Sequence, residues 1–241
     1  MITRRALFLC TFLAAGLSGY LSAAETTAVQ EEKHFETKIT VTAKLDYLLA
    51  LPEGYAASKT RWPLMLFLHG SGESGTNLSK VKAHGPPKLI ENGQKIPMIV
   101  VSPQSSGRGW SAESLTALLN DLTRKYRVDK SRIYLTGLSM GGYGTWTLAA
   151  AHPEMFAAIV PICGGGNPSD AAKLAHLPIW VFHGAKDSTV PIRRSEEMVE
   201  SIKAAGGDVK FTVYPEAGHD SWTRAYNEPE LIPWLLAQKR K

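Results

Sequence analysis

The sequence predicts an α/β fold: one domain built on a mostly parallel sheet of about eight strands, with helices on both faces. Three observations lead there. Short continuous apolar runs recur at Leu64–Leu68, Met98–Val101, Ile133–Leu135, Ala157–Ile162, Ile179–Phe182 and Val209–Val213, each bounded by Gly or Pro. Runs of this length without alternation suit parallel strands buried on both faces. Amphipathic segments of helical period stand between them, and residues 36 to 50 alternate polar and apolar positions as a half-buried antiparallel pair at a sheet edge would.

Taken in order, the first 24 residues do not belong to this fold. Arg4-Arg5 form a basic start, Ala6 to Leu17 is mostly apolar, and Ser22-Ala23-Ala24 supplies small residues for a cut before Glu25. The pattern is that of a secretory signal peptide, too short and wrongly flanked for a lasting transmembrane helix. The expected location is therefore secreted or periplasmic, by the general secretory route rather than the twin-arginine route that Thr3-Arg4-Arg5 also resembles. Cys10 lies inside the apolar stretch, so only Cys163 remains in the mature chain and no intrachain disulfide is expected. Residues 25 to 34 form a polar lead, and the folded domain is expected over 35–241. The net charge of +5 includes the two leader arginines, and the remaining basic residues are scattered. That pattern does not support a nucleic-acid partner or stable membrane insertion.

Among the helix candidates, the clearest carries Leu115, Leu118, Leu119, Leu122 and Tyr126 on one face behind Ser111 as its N-cap. Others span Ser79–Glu91, Met140–Ala151, Arg193–Ala205 and Glu228–Gln238.

In an open α/β sheet, ligands gather beyond the carboxyl ends of the strands. Four polar features lie there. His69-Gly70-Ser71-Gly72 follows Leu64–Leu68, Ser139 follows Ile133–Leu135, Asp187 follows Ile179–Phe182, and His219 follows Val209–Val213. Gly137-Leu138-Ser139-Met140-Gly141 is a G-x-S-x-G sequence between a strand and a helix, the context that makes it a nucleophile turn. A serine hydroxyl needs a base within hydrogen-bond reach, and the base needs an orienting acid. The order Ser139, Asp187, His219 supplies nucleophile, acid and base. His69 and His183 are rival bases, but each directly precedes a glycine at a strand end, where a histidine more often packs and hydrogen-bonds locally. Asp170 is the competing acid, one strand earlier, and Asp220 adjoins the base and points elsewhere. The oxyanion formed in acyl transfer needs preorganised donors, expected from the backbone N–H groups of Met140 and Ser71.

These residues resemble a known family. His69-Gly70-Ser71-Gly72-Glu73, Gly137 to Gly144, His183 to Pro191 and Gly218-His219-Asp220-Ser221-Trp222 are similar to the carboxylesterase/phospholipase and dienelactone-hydrolase branch of the α/β-hydrolase superfamily, especially its small secreted bacterial members often labelled predicted peptidases. The resemblance covers nearly all of residues 36–238 and implies Ser139 as nucleophile, Asp187 as acid and His219 as base. Dienelactone hydrolases proper carry a cysteine nucleophile; Ser139 departs from that and argues for ordinary ester chemistry.

Trp110 and Trp222 are candidate substrate contacts on the same rim, each with a packing role as the alternative. Cys163 reads as a small buried apolar residue. No metal-ligand spacing, phosphate loop or dinucleotide fingerprint occurs, so neither metal nor cofactor is expected. The short stretch between Ile162 and Ile179 leaves no room for a large lid and implies an open cleft. The expected activity is a serine esterase acting through an acyl-enzyme on Ser139, on small or polymer-linked esters of short acyl or aryl type. A serine peptidase with the same triad, and a non-catalytic binding protein on this scaffold, are the other readings.

Overall fold

The computed structural model describes residues 34–37, 42–107 and 109–240. The predicted signal peptide lies outside the described residues, as does all but residue 34 of the lead. Residues 34–37 belong to an N-terminal unit, 1–41, and have no regular secondary structure. The other unit begins at Thr42 and holds the sheet.

Among the described residues the sheet has seven strands: β1 (Tyr47–Ala50), β2 (Trp62–Leu68), β3 (Ile99–Pro103), β4 (Val128–Leu138), β5 (Ala158–Ile162), β6 (Ile179–Gly184) and β7 (Val209–Tyr214). Their order is β1-β3-β2-β4-β5-β6-β7. All neighbours are parallel except β1, which runs antiparallel to β3 with Tyr47 opposite Pro103. Of the expected leading strand pair, only β1 falls within the described residues, and 38–41 lie outside them.

The apolar runs form strands because both faces of the sheet are covered. Leu64, Leu66 and Leu68 point into one core with Leu115, Leu119, Trp146, Leu174 and Ile202; Met65 and Phe67, from the same strand, point into a second core with Tyr226, Leu231 and Leu235. The first core is roofed by α2 (Ala112–Lys125), α3 (Met140–Ala151), α4 (Ala171–Leu174) and α5 (Arg193–Ala204). The second is closed by α1 (Gly85–Glu91), α6 (Trp222–Tyr226) and α7 (Leu231–Ala237). Ser111 caps α2 by accepting from Ser114 N at 3.1 Å.

Two helix expectations are corrected. The segment Ser79–Glu91 is not one helix: a 3-10 stretch, Leu78–Ala83, ends at an extended His84, and α1 starts at Gly85. Pro86 and Pro87 lack the N–H a continuing helix needs but fit a first turn. Gly85, at φ +62°, also sits where a Cβ would lie 2.6 Å from the Phe67 ring. At the C-terminus, the helix begins at Leu231 rather than Glu228, and the preceding turns form the separate α6.

The chain passes from β2 to β3 on one side and then returns to place β4 on the other side of β2. This reversal opens a crevice at the carboxyl ends of β2 and β4. The loop from His69 and the turn at Ser139 both leave from that point.

Candidate active site

Ser139 occupies a one-residue turn between β4 and α3, at φ 52° and ψ −116°. A non-glycine residue there costs on the order of 1–3 kcal/mol and is held only by its surroundings. The surroundings are glycines with neighbouring backbone against them. A Cβ on Gly137 would lie 2.3 Å from Gly141 O, and one on Gly141 would lie 1.9 Å from Leu68 O. Ser139 N donates to Ile162 O at 3.0 Å, tying the turn to the end of β5.

Ser139 Oγ lies 2.9 Å from His219 Nε2, and His219 Nδ1 lies 2.8 Å from Asp187 Oδ2. The other carboxylate oxygen of Asp187 accepts the N–H groups of Thr189 and Val190, each at 2.9 Å. Burial on its own would raise the Asp187 carboxyl. The hydrogen bond from His219 and the two backbone N–H groups outweigh it and hold the carboxyl below its usual value. Asp187 therefore stays an anion. With the carboxylate on Nδ1, the proton of a neutral His219 sits on Nδ1, and Nε2 is free to accept from the serine hydroxyl.

The competing residues are engaged elsewhere. Asp170 pairs with Lys173 at 2.7 Å. Asp220 accepts from Thr223 N and Oγ1 at 3.0 and 2.9 Å, at the start of α6. The His69 ring is buried; its Nε2 accepts from Ser105 N at 3.0 Å, so its Nδ1 carries the proton and donates to Gly70 O at 2.6 Å. That bond fixes the Gly70–Ser71 peptide, whose N–H is one of the two expected oxyanion donors. The other, Met140 N–H, is the first of α3 and has no intrahelical acceptor. The loop after β2 is pinned further by Gln104 Nε2, which donates to Glu73 O and Asn77 O at 2.7 and 2.8 Å.

Trp110 donates Nε1–H to His69 O at 3.3 Å and fills the space where a Gly144 side chain would be, 2.7 Å from its ring. It also walls a cavity of about 460 Å³ together with Gly109, Met140, Tyr143, Gly144 and Thr147. Trp110 thus packs against α3 and at the same time borders this cavity. Trp222 lies edge-on to His219 and His84 and lines a different, smaller cavity. Tyr143 and Thr147, which share the first cavity, had no signal beyond an aromatic exposed on the helix after the serine. Between β5 and β6 stand only the 3-10 turn Pro168–Asp170 and the one-turn α4, so no cap is inserted there.

One group among the described residues brings three metal-type ligand atoms together: Cys163, Asp187 and His219, within 4.8 Å of one another. Two of these are already joined to each other. Burial pushes the Cys163 thiol up to about 12, so it stays protonated and is a poor ligand.

A doubly wound sheet with its serine turn at the switch point defines an α/β-hydrolase. More narrowly, the chain belongs to the dienelactone hydrolase family, whose sequence pattern matches residues 93–230. A Methylorubrum extorquens protein named putative carboxymethylenebutenolidase is 33% identical over 102 residues, covering 39% of this chain and 35% of that protein. An Aspergillus terreus protein named probable feruloyl esterase C is 28% identical over 171 residues, covering 67% of this chain and 62% of that protein. The crystal structure of a thermostable esterase superposes with a TM-score of 0.70 at 34% identity, covering 81% of this chain and 60% of that one. In each case the match takes in less than two thirds of the relative's length. No described helix is long and apolar enough to cross a membrane.

Proposed function

We propose that this protein is a serine esterase that hydrolyses carboxylic esters through an acyl-enzyme on Ser139. One observation carries the reading: a strained serine whose hydroxyl lies 2.9 Å from an imidazole that a buried carboxylate holds at 2.8 Å. Family membership and the esterase relatives support ester chemistry. In this mechanism His219 takes the Ser139 proton as Oγ attacks the ester carbonyl. The N–H groups of Met140 and Ser71 hold the oxyanion, worth about 2.7–4 kcal/mol of barrier per donor. His219 then returns the proton to the leaving alcohol, and a water activated by the same imidazole releases the acid. The cavity beside Met140, walled by Trp110 and Tyr143, is the proposed seat of a short acyl or aryl group, and the absence of an insertion after β5 supports an open cleft for bulky or polymer-linked esters. The leader-like N-terminus supports export.

The test is labelling by a fluorophosphonate, followed by assays on aryl esters of graded acyl length, feruloyl and acetyl sugars, and peptide amides. Label on Ser139 with ester turnover is the expected outcome. Absence of label, or turnover confined to amides, rejects the proposal.

A further inference from the structure

Asp187 Oδ2 faces two imidazoles. His219 Nδ1 lies 2.8 Å away, and His183 Nε2 lies 3.2 Å away. His183 ends β6 with no solvent contact on its side chain. Its Nε2–H donates to Val190 O at 2.9 Å. With a carboxylate and a carbonyl before it, and no donor, Nε2 must carry a proton. The other nitrogen, Nδ1, lies 2.7 Å from Ser195 Oγ, itself fully buried and 2.9 Å from Gly164 O.

The Ser195 hydroxyl has one proton for these two acceptors. If His183 is neutral, Ser195 donates to Nδ1. If His183 is an imidazolium, Nδ1–H donates to Ser195 and the hydroxyl turns to Gly164 O. Burial, the largest influence, pushes the imidazole below its usual value despite the Val190 carbonyl and the Asp187 charge. The neutral form prevails.

We propose that His183 is a positioning residue for the acid of the triad: a neutral imidazole, held in the Nε2–H tautomer by Ser195 and the Val190 carbonyl, that keeps its N–H dipole 3.2 Å from Asp187 Oδ2. The proposal rests on the triad reading above. The carboxylate then has three hydrogen-bond donors, Thr189 N and Val190 N on one oxygen and His219 on the other, and the His183 N–H stands 3.2 Å from that second oxygen as an electrostatic neighbour. A turn of the carboxylate would break these bonds and move its charge away from the His183 N–H. A neutral donor also suits the chemistry. A lysine or arginine in this place would neutralise the charge that stabilises the His219 imidazolium, whereas N–H from an uncharged ring fixes the carboxylate and only tempers its pull. Removing that donor leaves a carboxylate that attracts the base's proton more strongly. The other ionisable groups around the Asp187–His219 pair are the Cys163 thiol, held protonated by burial, and the Asp220 carboxylate, which Thr223 engages.

The test uses the full chain and the variants H183L, H183Q and S195A, with kcat/KM for an aryl ester followed against pH. The Gln side chain can place an N–H near the position of ring Nε2; Leu cannot. H183L should move the acid limb upward by about half a pH unit and lower kcat about tenfold. H183Q should restore the wild-type limb, and S195A should shift it in the H183L direction by a smaller step. In the wild-type protein, nitrogen-15 NMR should show the ring resonance that H183Q lacks as an Nε2–H tautomer throughout pH 6–8. An unmoved limb in H183L, an equal shift in H183Q, or an Nδ1–H tautomer overturns the proposal. If H183L does not fold, the wild-type spectrum and S195A decide it. Fluorophosphonate labelling of wild type separates the two levels: labelled Ser139 with an unmoved limb rejects the role of His183, and an unlabelled Ser139 rejects the triad.

Discussion

Trp222 stands edge-on against His219, with ring centroids 5.1 Å apart and planes at 89°. The same indole meets the His84 ring at 5.3 Å, so it is wedged between the base and the loop that leads into α1. An edge-to-face contact contributes about 0.5–1.5 kcal/mol. Its loss lets the base leave its line between Ser139 and Asp187. Trp222→Ala should lower kcat by roughly two- to tenfold with little change in KM, since 1.36 kcal/mol is tenfold in rate. Trp222→Phe should recover most of it. A large KM effect with unchanged kcat would instead make Trp222 a substrate contact.

Ser139→Ala should remove at least about three orders of magnitude from ester turnover while the protein stays folded. Alanine retains the Cβ that the turn already accommodates at φ 52°. Circular dichroism and thermal melting check the fold, and turnover of an aryl acetate checks the chemistry. Residual activity above about a hundredth of wild type would place the nucleophile elsewhere.

The two candidate acids are separated by their partners. Asp187 reaches His219, whereas Asp170 lies at the surface end of a 3-10 turn and pairs with Lys173. Asp187→Asn replaces an acceptor with an amide and misorients the imidazole, a change that costs orders of magnitude in turnover in a triad. Asp170→Asn should stay within about twofold, because exposed ion pairs contribute little. Equal losses in the two variants would reassign the acid.

Stability should fall as pH drops from 7 to 5, and two buried rings are the cause. Burial lowers both His69 and His183 below the ordinary 6.5. Below about 6.5 the unfolded chain takes up protons that the folded protein resists binding, so the stability these neutral rings lend is fully present above that value. It is lost progressively as pH falls toward their folded values, at no more than about 1.4 kcal/mol per pH unit for each ring. Asp187, held below its ordinary 3.8, adds its own loss only at more acid pH. Melting temperature measured across this range should decline, and H183Q should flatten the decline. A profile level from pH 7 to 5 contradicts the burial of these rings as neutral groups.

Much of this architecture is legible in the chain because burial on both faces writes continuous apolar runs. Leu64–Leu68 and Ile179–Phe182 are strands for that reason, and the polar residues that follow them had to fall on one rim. Ser139 was legible through glycine, since its turn at φ 52° brings neighbouring backbone against Gly137 and Gly141, and His219 through its place after the last apolar run. What was not legible depends on packing between distant segments. The break at His84 follows from the Phe67 ring pressing on Gly85 as well as from the prolines. The second imidazole on Asp187 is set by Ser195, on α5, and Val190, neither of which marks His183 in the sequence. Tyr143 becomes a cleft wall only because Trp110 folds over Gly144 beside it.

The cleft sets the last expectation, on substrate length. A long acyl chain gains about 0.8 kcal/mol per methylene only where each methylene is buried. The stretch between β5 and β6 adds a 3-10 turn and a one-turn helix, and neither extends into a cover over the rim. The proposed acyl seat is the cavity of about 460 Å³ beside Met140, lined by Trp110 and Tyr143, a volume that would hold an aromatic ring or a short chain. Beyond that length, added methylenes stay in water and gain nothing. kcat/KM should therefore peak at acetyl to butyryl esters and fall beyond about eight carbons. Trp110→Ala should reduce aryl-ester hydrolysis more than acetyl-ester hydrolysis, because a planar ring loses a stacking wall that an acetyl group does not use. Some loss on both substrates is expected, since Trp110 also holds His69 O at 3.3 Å and so supports the oxyanion loop. The ratio between the two substrates is what separates the roles: an equal loss would make Trp110 a support alone. A rate that climbs steadily to long chains would require a buried channel and reject the open cleft.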